Sequence, residues 1–177
     1  KSQDIKTELP PQYDPKNTEG QIYDIWEKSG FFNPDNLPTT YHLPPTTYTI
    51  IMPPPNANAP SHLGHALGYT IQDILIRYNR MRGKKTLWLP GSDHAGFETQ
   101  VVFEKKLEKE GRSRFKMERE EFYKEIWDYV QENKHISEEA IKRLGASCDW
   151  SRNIFTLDPE IVKIVYRTFE QMHDDGL

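Results

Sequence analysis

The chain has 177 residues with 23 basic and 27 acidic side chains, a net charge of −4 and a mean hydropathy of −0.81. That length suits one domain with a sizeable core, and an aromatic share of 12% excludes a disordered polypeptide. The single cysteine, Cys148, excludes an internal disulfide framework and any zinc site built on two thiolates. No stretch approaches the roughly 20 apolar residues of a membrane span, and Lys1 to Gln12 lack the apolar core of a signal peptide; the expected compartment is a reducing cytoplasm.

Residues 1–15 hold Pro10, Pro11 and Pro15 and read as an extended arm. Thr18 and Gln21 have capping-box spacing, and Ile22, Ile25, Trp26 and Ser29 share a face before Gly30, which predicts a short amphipathic helix. Prolines 34, 38, 44 and 45 make 31–46 a loop. Tyr48 to Met52 is a short β-branched run ended by Pro53-Pro54-Pro55, and reads as a buried strand. Leu67, Ile71, Ile74, Leu75 and Tyr78 then recur at helical spacing, and a basic end with Gly83 suits a helix stop. Thr86 to Leu89 reads as a second buried strand, closed by Pro90-Gly91. Strand, helix and strand within about forty positions form a βαβ unit, so the strands should be parallel.

The remainder reads as helical. Phe97 to Glu110 stops at Gly111; Phe122, Ile126 and Val130 form one apolar stripe, and Ile136, Ala140, Ile141 and Leu144 another, before Gly145. Asp158-Pro159-Glu160 has the N-cap and first-turn proline of a last helix, lined by Ile161, Val165, Phe169 and Met172. The mixed-charge stretches Glu104 to Glu110 and Glu118 to Glu125 read as solvated helix faces.

Two unusual segments follow the two strands: Pro53 to His65 and Gly91 to Gly96. In open parallel sheets, ligands bind beyond the carboxyl ends of the strands, so both segments should face one crevice. His62 and His65 are three apart at a helix start, where free N–H groups favour an anion such as phosphate. They suit phosphoryl-transfer chemistry, or simple capping of the helix, or a metal site with Asp93 or His94 as further ligand. Asp93 is equally a turn residue or a partner for a substrate ammonium, and the prolines are a strand terminator or a rigid apolar wall.

Taken together, Pro53-Pro54-Pro55-Asn56, His62-Leu63-Gly64-His65-Ala66 and Trp88-Leu89-Pro90-Gly91-Ser92-Asp93-His94-Ala95-Gly96 closely resemble the opening of the catalytic domain of class I aminoacyl-tRNA synthetases. His-Leu-Gly-His matches their "HIGH" signature. Asp-His-Ala-Gly, with Thr99-Gln100 after it, looks like the valine-specific branch, whereas the isoleucine branch has Asp-Cys-His-Gly. Arg77 to Gly83 and Leu144 to Arg152 extend the resemblance, which covers roughly 16–177.

The resemblance implies an α/β fold: the first half of a Rossmann-like nucleotide-binding domain over 47–177, preceded by an arm and helix over 1–46 and ending in several helices. It implies that valine and ATP form an adenylate, with Mg²⁺ accompanying ATP and no prosthetic group, and that the aminoacyl group then passes to tRNA. His62 and His65 would be catalytic, and with Gly64 would bind ATP; Pro53, Pro54, Asn56 and Asp93 would bind the amino acid. A monomer away from membranes is expected. The second lysine signature, Lys-Met-Ser-Lys-Ser, the editing insertion and the anticodon-binding region have no counterpart in these residues, so the sequence reads as the front fragment of a longer enzyme. Lys116-Met117, inside a helical pattern, is a coincidental match. The chain departs from the family pattern at Ala57-Asn58-Ala59, where Val-Thr-Gly is usual, at Ser61 in place of leucine, and at Phe97-Glu98 in place of Ile-Ala. Competing readings are an isoleucine-branch fragment, a truncated paralogue that binds ATP or tRNA without catalysis, and a metal hydrolase using His62, His65, Asp93 and His94. Arg77, Arg80, Arg82, Lys84 and Lys85 would touch tRNA or pyrophosphate, or only offset the helix dipole.

Overall fold

The computed structural model describes residues 12–37 and 46–177; most of the expected arm and part of the proline-rich loop lie outside them. Asp14 rather than Thr18 starts the first helix, α1 (Pro15–Lys28): its carboxylate accepts from the N–H groups of Lys16 and Asn17, and Pro15 occupies the first turn, where a missing N–H costs nothing. The residue α1 buries is Tyr23, one position off the expected stripe; Ile22, Ile25 and Trp26 stay exposed. A 3₁₀ turn at Pro34–Asn36 interrupts the loop that follows.

β1 (Thr47–Ile51) and β2 (Lys85–Leu89) pair in parallel, in register from Thr47 opposite Lys85 to Ile51 opposite Leu89, and α2 (Leu63–Met81) makes the crossover. The βαβ reading therefore holds, with one correction. β2 buries Thr86 and Trp88, whereas β1 is only half-covered, with Ile51 72% exposed. The main core gathers Met52, Tyr69, Ile76, Trp88, Ile141, Ala146 and Cys148, with Tyr48 and Ile50 against it. A second, short parallel pair was not anticipated: β3 (Gly91–Ser92) with β4 (Ile154–Phe155). Gly91 extends the sheet structure past Pro90, and a side chain there would meet the Ile154 carbonyl oxygen at 3.1 Å.

The apolar stripe that reveals α2 in the sequence is not its buried side. Leu67 is 63% exposed and Ile71, Ile74 and Tyr78 are exposed with it, while Tyr69, Ile76 and Asn79 are buried. That inward face mixes the apolar Tyr69 and Ile76 with polar side chains that find tertiary partners. Asp73 accepts from the Ser147 N–H (3.0 Å) and hydroxyl (2.5 Å) and pairs with Arg77 (2.6 Å). Arg77 donates to the Gly145 carbonyl, and Arg80 donates to the Ser147 hydroxyl and carbonyl. These two arginines are thus committed to the fold, as is Lys85 by its pair with Asp35; Arg82 and Lys84 rest over the rings of Tyr78 and Tyr48.

Helix α3 (Gly96–Lys109) ends before Gly111, whose φ of +73° supplies the left-handed turn. Lys116 closes a 3₁₀ turn rather than lying within a helix. The two later stripes merge into one helix, α4 (Arg119–Arg143), burying Val130, Asn133, Ser137 and Ile141 along one line. The charged faces are not wholly free: Arg112 grips Glu125 with two bonds and Arg114 pairs with Glu104. Tyr23 and Lys142 join α1 to this frame, the phenol donating to the Ala146 carbonyl at 2.8 Å and the ammonium meeting Glu27 at 3.1 Å. Helix α5 (Pro159–Asp174) buries no residue; Asp158 is its N-cap as expected, its carbonyl taking the Val162 N–H while its carboxylate serves the Phe155 N–H instead of a helix N–H.

Candidate active site

At the start of α2 the sequence puts a histidine where serine or aspartate usually stands. His62 is the N-cap, and its Nδ1 accepts the Gly64 N–H at 3.1 Å; His65 reaches back, its Nδ1 accepting the His62 N–H at 3.2 Å. Such a reciprocal arrangement is a capping box made of imidazoles. The rings stack with centroids 4.0 Å apart, and Tyr69, one turn on, stacks beneath His65 at 6.0 Å. Because both Nδ1 atoms accept, each neutral ring carries its proton on Nε2, on the side away from the backbone. Burial, and next the neighbouring His62, hold the pKa of His65 below its ordinary value, favouring the neutral ring. Capping and chemistry, alternatives in the sequence, are compatible here: the cap fixes the tautomer.

Gly64 has a local reason beyond ligand approach. A β-carbon there would lie 2.9 Å from His62 Cε1 and 3.0 Å from its Nδ1, so the ring folds over this position only because it is glycine.

The second loop is tied to the first. Asn56 and Asp93 form a parallel bridge, in which the Ala57 N–H donates to the Asp93 carbonyl at 2.7 Å and the Asp93 N–H to the Pro55 carbonyl at 2.9 Å. The two residues expected to hold an amino group are therefore adjacent, at the carboxyl ends of parallel strands. Pro53, Pro54, Asn56 and His62 are exposed, and Asp93 is half-exposed. The Asp93 carboxylate oxygen Oδ1 accepts from the Ala95 N–H and the Thr156 hydroxyl, both at 3.1 Å. Ala95 caps α3 in the left-handed region, at φ 48°. Thr156 also takes the His94 N–H at 2.9 Å. Sixty-three positions from Asp93, Thr156 has no local sequence signal; Tyr69 had one, its spacing of four from His65.

The departures at 57–58 are packed in place: Ala57 is buried against Val130 and Phe155, and Tyr129 donates to the Asn58 carbonyl at 2.7 Å. The metal-hydrolase reading loses its ligand set, since among the described residues no three His, Cys, Asp or Glu side chains come together. A cleft of about 880 Å³ between α1 and the end of α4 includes no residue of either loop. Among the described residues, no helix is long and apolar enough to cross a membrane.

Residues 21–177 match the family model for class I tRNA synthetases (I, L, M and V). The chain is 45% identical over 161 residues to a chloroplastic/mitochondrial valine–tRNA ligase of Arabidopsis thaliana, covering 91% of this chain and 16% of that protein. It is 42% identical over 171 residues to valine–tRNA ligase of Chlamydia muridarum (96% and 18%), and 44% identical to that of Takifugu rubripes (98% and 14%). It thus spans less than a fifth of the length of these relatives. Among solved structures, a LeuRS–tRNA–LeuAMS ternary complex from Agrobacterium radiobacter K84 matches with a TM-score of 0.73 over 94% of this chain and 19% of that chain, at 19% identity. That likeness bears on architecture alone, and it agrees with the Rossmann-like α/β fold with parallel strands.

Proposed function

This chain belongs to the class I tRNA synthetases, and from that membership we propose that residues 47–177 form the ATP-facing and amino-acid-facing half of a valine–tRNA ligase, with 1–46 as its leading arm and helix. The observation that carries the reading is the imidazole capping box. With both Nδ1 atoms held by the backbone, His62 and His65 present two Nε2–H donors at the positive end of a 19-residue helix. A valine carboxylate oxygen attacks the α-phosphorus of ATP, and the bond to the bridging oxygen breaks, its electron pair leaving with pyrophosphate. Charge grows on the phosphoryl oxygens during this exchange, and fixed N–H donors stabilise it without reorganising. No nucleophile is asked of the protein, only position and charge.

At the neighbouring loop, Asp93 and the Asn56 side chain hold the valine ammonium, while Pro53 and Pro54 border its side chain; a charge-assisted contact of this kind contributes roughly 1.5–3 kcal/mol. Gly64 lets the nucleotide lie against the helix start. Mg²⁺ arrives as the ATP complex, and tRNA accepts the aminoacyl group in a second step. We place the work in the cytoplasm, by a monomer.

The test is exchange of pyrophosphate into ATP by the full-length protein. It should depend on valine, with isoleucine and threonine weaker, and His65→Ala should lower it by about 10²-fold. Exchange that is unchanged in the variant removes the assigned role; a preference for isoleucine moves the chain to that branch.

A further inference from the structure

The Asp93 carboxylate is held on one side only. Oδ1 accepts from the Ala95 N–H and the Thr156 hydroxyl, and lies 3.5 Å from His94 Nδ1, whereas Oδ2 accepts no hydrogen bond among the described residues. The side chain is 37% exposed, which leaves room for a ligand beside it. A local Asx turn accounts for the Ala95 contact. It does not account for Thr156, which arrives from β4 on the far side of the β3–β4 pair, beside the Thr156 N–H to Ser92 carbonyl bond of 3.1 Å.

A hydroxyl has one proton and two lone pairs. Thr156 Oγ1 meets three groups: the His94 N–H at 2.9 Å, His94 Nδ1 at 2.6 Å and Asp93 Oδ1 at 3.1 Å. The backbone N–H must donate and the carboxylate must accept, so the threonine proton goes to Asp93. His94 then completes the set by donating from Nδ1. Every group is satisfied in that arrangement alone, and it fixes the rotation of the carboxylate about its own bond.

We propose that Thr156 is a positioning residue for Asp93, its hydroxyl pinning Oδ1 so that Oδ2 faces the ammonium of the amino-acid substrate. The proposal rests on the ligase reading above and adds to it a residue that touches no substrate. It concerns ammonium recognition specifically, and so separates from a general loosening of the loop.

The experiment is inhibition of valine-dependent pyrophosphate exchange in the full-length protein by two valine analogues. Valinol keeps the amine and replaces the carboxylate with a primary alcohol; isovalerate keeps the carboxylate and lacks the amine. Thr156→Val should weaken valinol inhibition and raise the KM for valine about tenfold, leave isovalerate inhibition and the KM for ATP within about twofold, and change kcat less than threefold. Thr156→Ser, which keeps the hydroxyl, should restore valinol inhibition to within about threefold. If Thr156→Val does not fold, Thr156→Ala is compared with the two inhibitors in the same way. Equal weakening of both analogues, or of neither, overturns the proposal, as does a serine variant no better than the valine one. Absence of valine-dependent exchange in the parent protein is a different failure, and it removes the ligase reading and this inference together.

Discussion

Along α2, the first turn and the last three turns differ in what holds their polar groups. At the beginning, His62 and His65 satisfy backbone N–H groups only two or three residues away, the first ring exposed and the second half-exposed, and leave Nε2 outward. Further on, Asp73, Arg77 and Arg80 reach a segment about seventy positions downstream and bond to Gly145 and Ser147. The first arrangement is local and leaves donors to spare; the second is tertiary and leaves few. One helix thus has a stiff root and a chemically available tip, and the root is what fixes the tip in space. The sharpest way to break this comparison is to perturb each end and ask whether stability and activity separate.

The largest effect is expected at the root. Asp73→Ala deprives the Ser147 N–H and hydroxyl and the Arg77 guanidinium of their acceptor at once, and half-buries a charge without its partner. A loss of about 3 kcal/mol in unfolding free energy follows, measured as a shift of the urea midpoint at unchanged slope. A loss below about 1 kcal/mol would show that the root is not the stiff end.

A smaller and opposite dissociation is expected at the tip. In Gly64→Ala the new methyl group meets only the end of the His62 side chain, which can swing aside. Losing that cap costs about 1 kcal/mol, and exchanging glycine for alanine in a helix returns a similar amount. The thermal midpoint should therefore hold within a few degrees while pyrophosphate exchange falls about tenfold, because the displaced ring no longer aims its Nε2–H. Equal losses in both measurements would merge the two ends into one structural unit.

The same contrast decides what the sequence could show. The tip was legible because its chemistry is short-range: His62, Gly64 and His65 carry their arrangement in their spacing, and the prolines and Gly111 mark where elements stop. The parallel pair followed from strand, helix and strand in about forty positions. The root was not legible. An apolar stripe at Leu67, Ile71 and Ile74 announces a helix without saying which side faces inward, and the inward side here joins Tyr69 and Ile76 to polar groups whose partners, Ser147 and Gly145, are remote in sequence. Tyr23 was missed for the same reason: its phenol finds the Ala146 carbonyl 123 positions away, and Trp150 donates to it in turn. Thr156 belongs to this class, since only the β3–β4 pairing brings it to Asp93.

The smallest effect is expected in the second loop, where a residue that looks interchangeable is held in an unfavourable conformation. Ala95 sits at φ 48° and ψ 35°, the left-handed region that costs a residue with a β-carbon about 1 kcal/mol. It stays there because Asp93 Oδ1 takes its N–H, and because Thr99 donates to its carbonyl through N–H and to the His94 carbonyl through its hydroxyl. Ala95→Gly removes the steric cost but enlarges the unfolded ensemble by about 0.4–1 kcal/mol. The two nearly cancel, so the urea midpoint should rise by no more than the equivalent of about 0.5 kcal/mol. Function should move the other way: with glycine at two consecutive positions the turn holding Asp93 gains freedom, and the KM for valine should rise about twofold with the KM for ATP unchanged. If both constants rise together, the two loops respond as one, and the local character assigned to the histidine cap is wrong.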